Sequence, residues 1–245
     1  MKNVLITGAL SGLGYEIAKN ISPDYNLILT YNKNKKKINN LKNKLIIKKQ
    51  FDFKFYKLDL STENTIKTSI NKILKDNKNI DIFIGNAALS QHKNFFKITD
   101  KDFKSIIDVN VIGNFHILKL ILPRMMKNKW GRVILISSVA AQLGGSRQIH
   151  YAVSKSALNG LNKSIAKNFS KYGITSNTIS PGIFPTEMTK NELKLSEVKK
   201  SISNMPIPRI GKLSEISGII NFLASNESSY ITGQNINING GMFFS

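Results

Sequence analysis

Thr7-Gly8-Ala9-Leu10-Ser11-Gly12-Leu13-Gly14 follows the apolar run Val4-Leu5-Ile6 and leads into the helix-period segment Tyr15-Glu16-Ile17-Ala18. A strand that turns through three glycines into a helix is suited to meet an anion. Glycine has no Cβ to hold the backbone away, and the first helical turn carries N–H groups without intrahelical partners. The spacing is G-x-x-x-G-x-G rather than G-x-G-x-x-G, so its meaning rests on its place between a strand and a helix. It predicts a pyrophosphate seated at the start of the first helix.

Working outward, apolar runs alternate with helix-period segments. Leu27-Ile28-Leu29 leads into a helix over Lys35 to Leu45, and Phe53 to Leu58 reads as a third strand. Ser61 or Thr62 then caps a helix with Ile66, Ile70, Ile73 and Leu74 at three-to-four spacing. Asp81 to Ile84 is a fourth strand, and Thr99 caps one long helix from Asp102 to about Leu122. Val133 to Ile136, Ile174 to Ile179 and Ile236 to Ile238 are further strands, with a helix over Ala152 to Phe169. Such a β-α-β-α order predicts an α/β fold, a parallel sheet with helices on both faces. No linker or repeat divides residues 1–245, which are read as one domain. The segment 185–208, rich in Lys and Glu and closed by Pro206 and Pro208, reads as a helical flap over the strand ends.

Composition narrows the classes of function. With no cysteine, disulfide, zinc-thiolate and thiol chemistry are excluded, and a reducing, cytoplasmic setting is expected. The three histidines are too scattered for a metal site, so no metal is expected. The apolar stretch Val111 to Met126 is broken by His116, Lys119, Pro123 and Arg124, so no membrane span is expected. The formal net charge of +21 raises nucleic acid as a partner. Only four of the 36 basic residues are arginines, however, and the lysines run along the whole chain; nucleic-acid readers favour arginine for bidentate contacts. The ten lysines from Lys33 to Lys57 read as a solvated helix with its flanking loops, and specific nucleic-acid binding is not expected.

Chemistry enters at Tyr151-Ala152-Val153-Ser154-Lys155, where tyrosine and lysine lie four apart on one helix face. A phenol of pKa near 10 is a poor proton donor at neutral pH, and a neighbouring ammonium lowers that value. Ser137-Ser138 closes the fifth strand and brings a hydroxyl within reach of Tyr151. Asn110 is a polar residue among Val109, Val111 and Ile112, an odd choice for a helix interior without a role. Each has a plainer reading: a surface pair, a strand-end cap and a satisfied core amide.

Taken in order, Thr7 to Gly14, Asp59-Leu60, Asn86-Ala87, Asn110, Ser138, Tyr151, Lys155, Pro181-Gly182 and Thr186 resemble the classical short-chain dehydrogenase/reductase family over essentially the whole chain. The resemblance implies a Rossmann-like, doubly wound sheet of seven parallel strands and a nicotinamide cofactor. It implies Tyr151 as acid-base, Ser138 polarising the substrate carbonyl, Lys155 holding the nicotinamide ribose, and Asn110 anchoring a water in a proton relay to Lys155. It further implies cofactor contacts at Thr7, Gly8, Ser11, Gly12, Leu13, Gly14, Asn32, Lys33, Asp59, Leu60, Asn86, Ala87, Ala88, Pro181, Gly182, Ile183 and Thr186. Gln148 joins Ser138 and Tyr151 on the substrate side. One departure stands out: the family's usual Asn-Asn-Ala-Gly after the fourth strand is here Gly85-Asn86-Ala87-Ala88.

At the end of the second strand, Tyr31-Asn32-Lys33-Asn34-Lys35 offers no carboxylate for ribose hydroxyls and several cations for a 2′-phosphate, so NADPH is expected over NADH. Within the family, Met125 to Arg132 and Tyr230 to Met242 resemble reductases of 3-oxoacyl groups carried on acyl carrier protein, an acidic partner that Lys129 would face. A sugar, polyol or other small secondary alcohol is the alternative substrate, on the polarity of Gln91, His92, Lys93, Gln142, Arg147 and His150. The family resemblance also implies a homotetramer, with the apolar end Met242-Phe243-Phe244 suited to burial.

Overall fold

The computed structural model describes residues 1–10, 12–48, 50, 52–187 and 189–244. Side-chain alternation sets the strands. In β1 (Lys2–Ile6), Val4 and Ile6 enter the core on one side of the sheet and Leu5 the core on the other; in β2 (Tyr25–Tyr31), Leu27 and Leu29 oppose Ile28 in the same way. Strands buried on both faces are characteristic of parallel sheets covered by crossover helices. With β3 (Phe53–Lys57), β4 (Ile82–Gly85), β5 (Gly131–Ile136), β6 (Ile174–Pro181) and β7 (Asn235–Ile238), the described residues form one seven-stranded sheet, ordered β3-β2-β1-β4-β5-β6-β7. All neighbouring strands are parallel. The strand order reverses between β1 and β4, and ligands of open α/β sheets bind at the carboxyl ends beside such a point.

The helices in chain order are α1 (Gly12–Asn20), α2 (Ile38–Ile47), α3 (Glu63–Asn77), α4 (Asp100–Ile107), α5 (Gly113–Lys127), α6 (Ala140–Leu143), α7 (Ile149–Phe169), α8 (Ser196–Ser203) and α9 (Leu213–Ala224). One core layer collects Ile17 of α1, Leu41 and Leu45 of α2, and Ile216 and Ile220 of α9. The other collects Ile66 and Ile70 of α3, Ile117 and Ile121 of α5, and Leu158 and Ile165 of α7. Thr62 caps α3, accepting a hydrogen bond from Thr65 N–H, and Thr99 forms a capping box with Asp102 at the start of α4.

Two features depart from the sequence reading. Helix α9 was not anticipated, although Leu213, Ile216, Ile220 and Leu223 follow the helical period. The long helix expected from Asp102 to Leu122 is interrupted: residues Asp108–Ile112 form a π-turn, in which Gly113 N–H donates to Asp108 C=O five residues back. By length and composition alone, the continuous run Asp100–Lys127 reaches the apolarity of a membrane span, contrary to the expectation from its charged interruptions. In this fold Ile117, Leu118, Ile121 and Leu122 pack it into the second core.

Candidate active site

The glycine turn lies at the carboxyl end of β1. Gly8 and Gly12 adopt left-handed φ angles of 69° and 51°, a region that glycine enters without steric cost. Gly14 sits beneath the turn, where a Cβ would lie 2.4 Å from Gly8 O and 2.5 Å from Asn86 Nδ2. Thr7 is fully buried, and its hydroxyl accepts hydrogen bonds from the N–H groups of Asn86 and Ala87, both at 3.0 Å. Asn86 Nδ2 returns a bond to Thr7 C=O at 2.9 Å. The ends of β1 and β4 are thus stitched together, leaving a backbone cradle that any larger side chain would fill. Those features fit a dinucleotide pyrophosphate at the α1 N-terminus. Ser11 lies outside the described residues.

From this cradle a cleft of about 1010 Å³ runs across the strand ends. Thr7, Gly8, Gly12 and Leu13 line it below; Asn32 and Lys33 after β2, and Asp59 and Leu60 after β3, form one end. Asn86, Ala87 and Ala88 lie at the centre, and Pro181, Gly182, Ile183 and Thr186 lie after β6. At the adenine end expected from the sequence, burial pushes the Asp59 carboxyl up, but hydrogen bonds from Ser61 and Asn32 outweigh it and hold the group below its ordinary pKa.

Ser138, Gln148, Tyr151 and Lys155 line the same cleft. Tyr151 and Lys155 stand one turn apart on α7, with Nζ 5.5 Å from the phenol ring centroid. Burial of the ammonium lowers the Lys155 pKa to about 7. Its Nζ donates to Ile136 C=O at 2.6 Å, and Ser137 Oγ donates to Lys155 C=O at 3.0 Å, pinning α7 to the end of β5. Ser137 is therefore a brace, while the half-buried Ser138 faces the cleft, its Oγ accepting from Ala140 N–H.

Asn110 is completely buried and absent from the cleft lining. Its Oδ1 accepts from Leu89 N–H at 2.7 Å, and its Nδ2 donates to Leu89 C=O and to Ser154 Oγ, both at 2.9 Å. Ser154 Oγ in turn donates to Tyr151 C=O at 2.7 Å. The plain reading of a satisfied core amide thus describes the side chain, which ties the loop after β4 to the catalytic helix. Sequence reasoning missed Leu89 and Ser154, whose parts appear only once α5, α7 and this loop are brought together.

The polar residues considered for a sugar-like substrate brace this wall. Gln91 pairs with His150, His92 with Gln148, and Lys93 with Asp102, while Lys93 N–H donates to Arg147 C=O. Of this set only Gln148 lines the cleft. Burial pushes the His150 imidazole below its ordinary pKa, with nearby Asp102 and Lys93 pulling in opposite directions. On the substrate side the lining is largely apolar, with Leu89, Val139, Leu143, Ile183, Val198 and Met242.

Comparison with known proteins agrees with this arrangement. A family model described as enoyl-(acyl carrier protein) reductase matches residues 8–243. The 3-oxoacyl-(acyl carrier protein) reductase FabG of Buchnera aphidicola subsp. Schizaphis graminum (strain Sg) is 36% identical over 242 residues, covering 99% of this chain and 97% of the relative. The FabG of Haemophilus influenzae is 32% identical over 245 residues, covering 100% and 99%. Among solved structures, a putative gluconate dehydrogenase from Agrobacterium tumefaciens superposes with a TM-score of 0.93 at 24% identity, covering 98% of this chain and 95% of that one. Levodione reductase gives 0.91 at 27%, covering 98% and 96%. The chain belongs to the short-chain dehydrogenase/reductase family of nicotinamide-dependent oxidoreductases.

Proposed function

We propose that the protein reduces a 3-oxoacyl thioester on acyl carrier protein to the 3-hydroxyacyl form, with NADPH as reductant. The observation that carries this reading is the apolar substrate side of the cleft, Leu89, Val139, Leu143, Val198 and Met242, above Ser138 and Tyr151. An acyl chain fits such a lining, whereas a polyol leaves its hydroxyls without partners. The names of the FabG relatives support the same substrate class.

In this mechanism the bound nicotinamide supplies a hydride to the carbonyl carbon. Ser138 Oγ holds the carbonyl oxygen, and Tyr151 gives that oxygen its phenolic proton, so that C=O becomes CH–OH. The Lys155 ammonium stabilises the tyrosinate left behind. Because burial brings its pKa to about 7, Lys155 can release and regain a proton near neutral pH. Resupply passes through a water on the Asn110 carbonyl. Asn32 and Lys33 meet the adenosine end, where Lys33 favours a 2′-phosphate. The segment 185–208 acts as a flap within a single catalytic domain, presenting Glu197, Val198 and Ser201 of α8 to the cleft.

The chain assembles as a homotetramer in the cytoplasm. Phe103, Ile112, Phe115, Ile149 and Val153, exposed along α4, the π-turn, α5 and α7, support burial against a second copy. Lys129 and its basic surroundings suit an acidic carrier protein, and light scattering reads the assembly. The activity test follows NADPH oxidation with 3-oxoacyl thioesters against a panel of keto-sugars. Faster turnover of the thioester is expected. Preferential reduction of a keto-sugar, or kcat/KM for NADH equal to that for NADPH, would overturn the corresponding part.

A further inference from the structure

The departure at Gly85 has a counterpart across the sheet. A Cβ on Gly85 would lie 2.4 Å from Asn114 Oδ1 and 2.7 Å from Leu135 Cδ2. The space for a side chain at the end of β4 is therefore occupied by the amide of Asn114, reaching down from α5. Asn114 is almost fully buried; its Nδ2 donates to the Asn110 carbonyl at 2.7 Å, while its Oδ1 has no hydrogen-bond partner among the described residues. Burying an unpaired amide oxygen opposes folding. Valine or leucine would fill the same space without that cost, so the geometry assigns the value of Asn114 to its donor.

We propose that Asn114 is a positioning residue: it fixes the Asn110 carbonyl inside the π-turn, and glycine at position 85 is what admits it. The amide that the family pattern places on β4 has moved to the facing helix. One lone pair of the Asn110 carbonyl is engaged by Asn114, which leaves the second, now fixed in direction, for the relay water. Through Ser154 the same asparagine is tied to the Tyr151 backbone, so a loosened π-turn would disturb both the proton path and the acid. The activity part of the proposal rests on the catalytic reading given above.

The test is a set of variants: Asn114→Val, Asn114→Ser, Gly85→Ala and the double Gly85→Ala/Asn114→Val. Asn114→Val is expected to lower kcat about tenfold, with KM for cofactor and substrate within about twofold, a misplacement effect rather than a binding one. The solvent deuterium isotope effect on kcat should rise, because proton resupply becomes slower; a merely structural role would leave it unchanged. Gly85→Ala should lower Tm by crowding Asn114, and the double variant should recover most of that loss. The milder Asn114→Ser keeps the kinetic readout should the valine variant fold poorly. Wild-type kcat and isotope effect in both Asn114 variants would overturn the positioning role. A double variant no more stable than Gly85→Ala would overturn the coupling. Because Tm needs no substrate, failure of the thioester reading is separable: turnover of another carbonyl then serves for the kinetic arm, whereas full activity of Tyr151→Phe would sink the catalytic reading itself.

Discussion

At the scale of single residues, Lys155 is the most exposed to test. Its ordinary pKa of 10.5 falls to about 7 in the folded chain because burial disfavours the ammonium. Below about pH 7 both folded and unfolded states carry the proton, and the full cost of the buried charge is present. Between about 7 and 10.5 the unfolded chain binds a proton that the folded chain does not, so this group makes stability rise with pH. Urea midpoints at pH 6 and pH 9 should therefore show a difference that shrinks in Lys155→Met. The methionine variant should also be more stable at pH 6 and catalytically dead. Lys2, lowered to about 8 chiefly by burial and then by Arg132, acts in the same direction and remains in both proteins. Tyr151→Phe should reduce kcat by about 10² to 10⁴-fold, the range for loss of a positioned proton donor, with cofactor affinity nearly unchanged.

At the scale of elements, the glycine turn is the part where the smallest change has the largest expected effect. Gly14→Ala places a methyl group 2.4 Å from Gly8 O, backbone that cannot simply rotate away. A loss of about 1–3 kcal/mol and weaker NADPH binding should follow, read by thermal unfolding and by quenching of NADPH fluorescence. The turn was legible in sequence because Gly8, Gly12 and Gly14 combine with a strand before and a helix after. The Tyr151 and Lys155 pair was legible because spacing alone sets a helix face. The π-turn at Asp108–Ile112 was not, since its residues have an ordinary helical pattern and only the hydrogen-bond register differs. Asn114 was hidden for a related reason: its meaning comes from Gly85, 29 positions away in the chain and across the layer between α5 and the sheet. Helix α9 left a period and a Glu215 capping contact in the sequence, signals that were present and unread.

At the scale of the whole molecule, the charge of +21 and the sheet order answer different questions. The reversal between β1 and β4 puts the cleft where it is, whatever the lysines do. The lysine-rich turn after β2 then biases one end of that cleft. If Lys33 reads the 2′-phosphate, raising salt from about 50 to about 500 mM should narrow the preference for NADPH over NADH, as screening shortens the reach of surface charge. Lys33→Ala should narrow it further at low salt. The π-turn ties element to molecule in another way. It amounts to a one-residue insertion carried within an otherwise continuous helix. Removing a residue there would re-phase everything downstream by about 100°, swinging Asn114 off Gly85 and the apolar face of α5 off the sheet. Insertions and deletions in this stretch should therefore be purged in any descendant of the chain, while the loops at the opposite end of the strands stay free to change length.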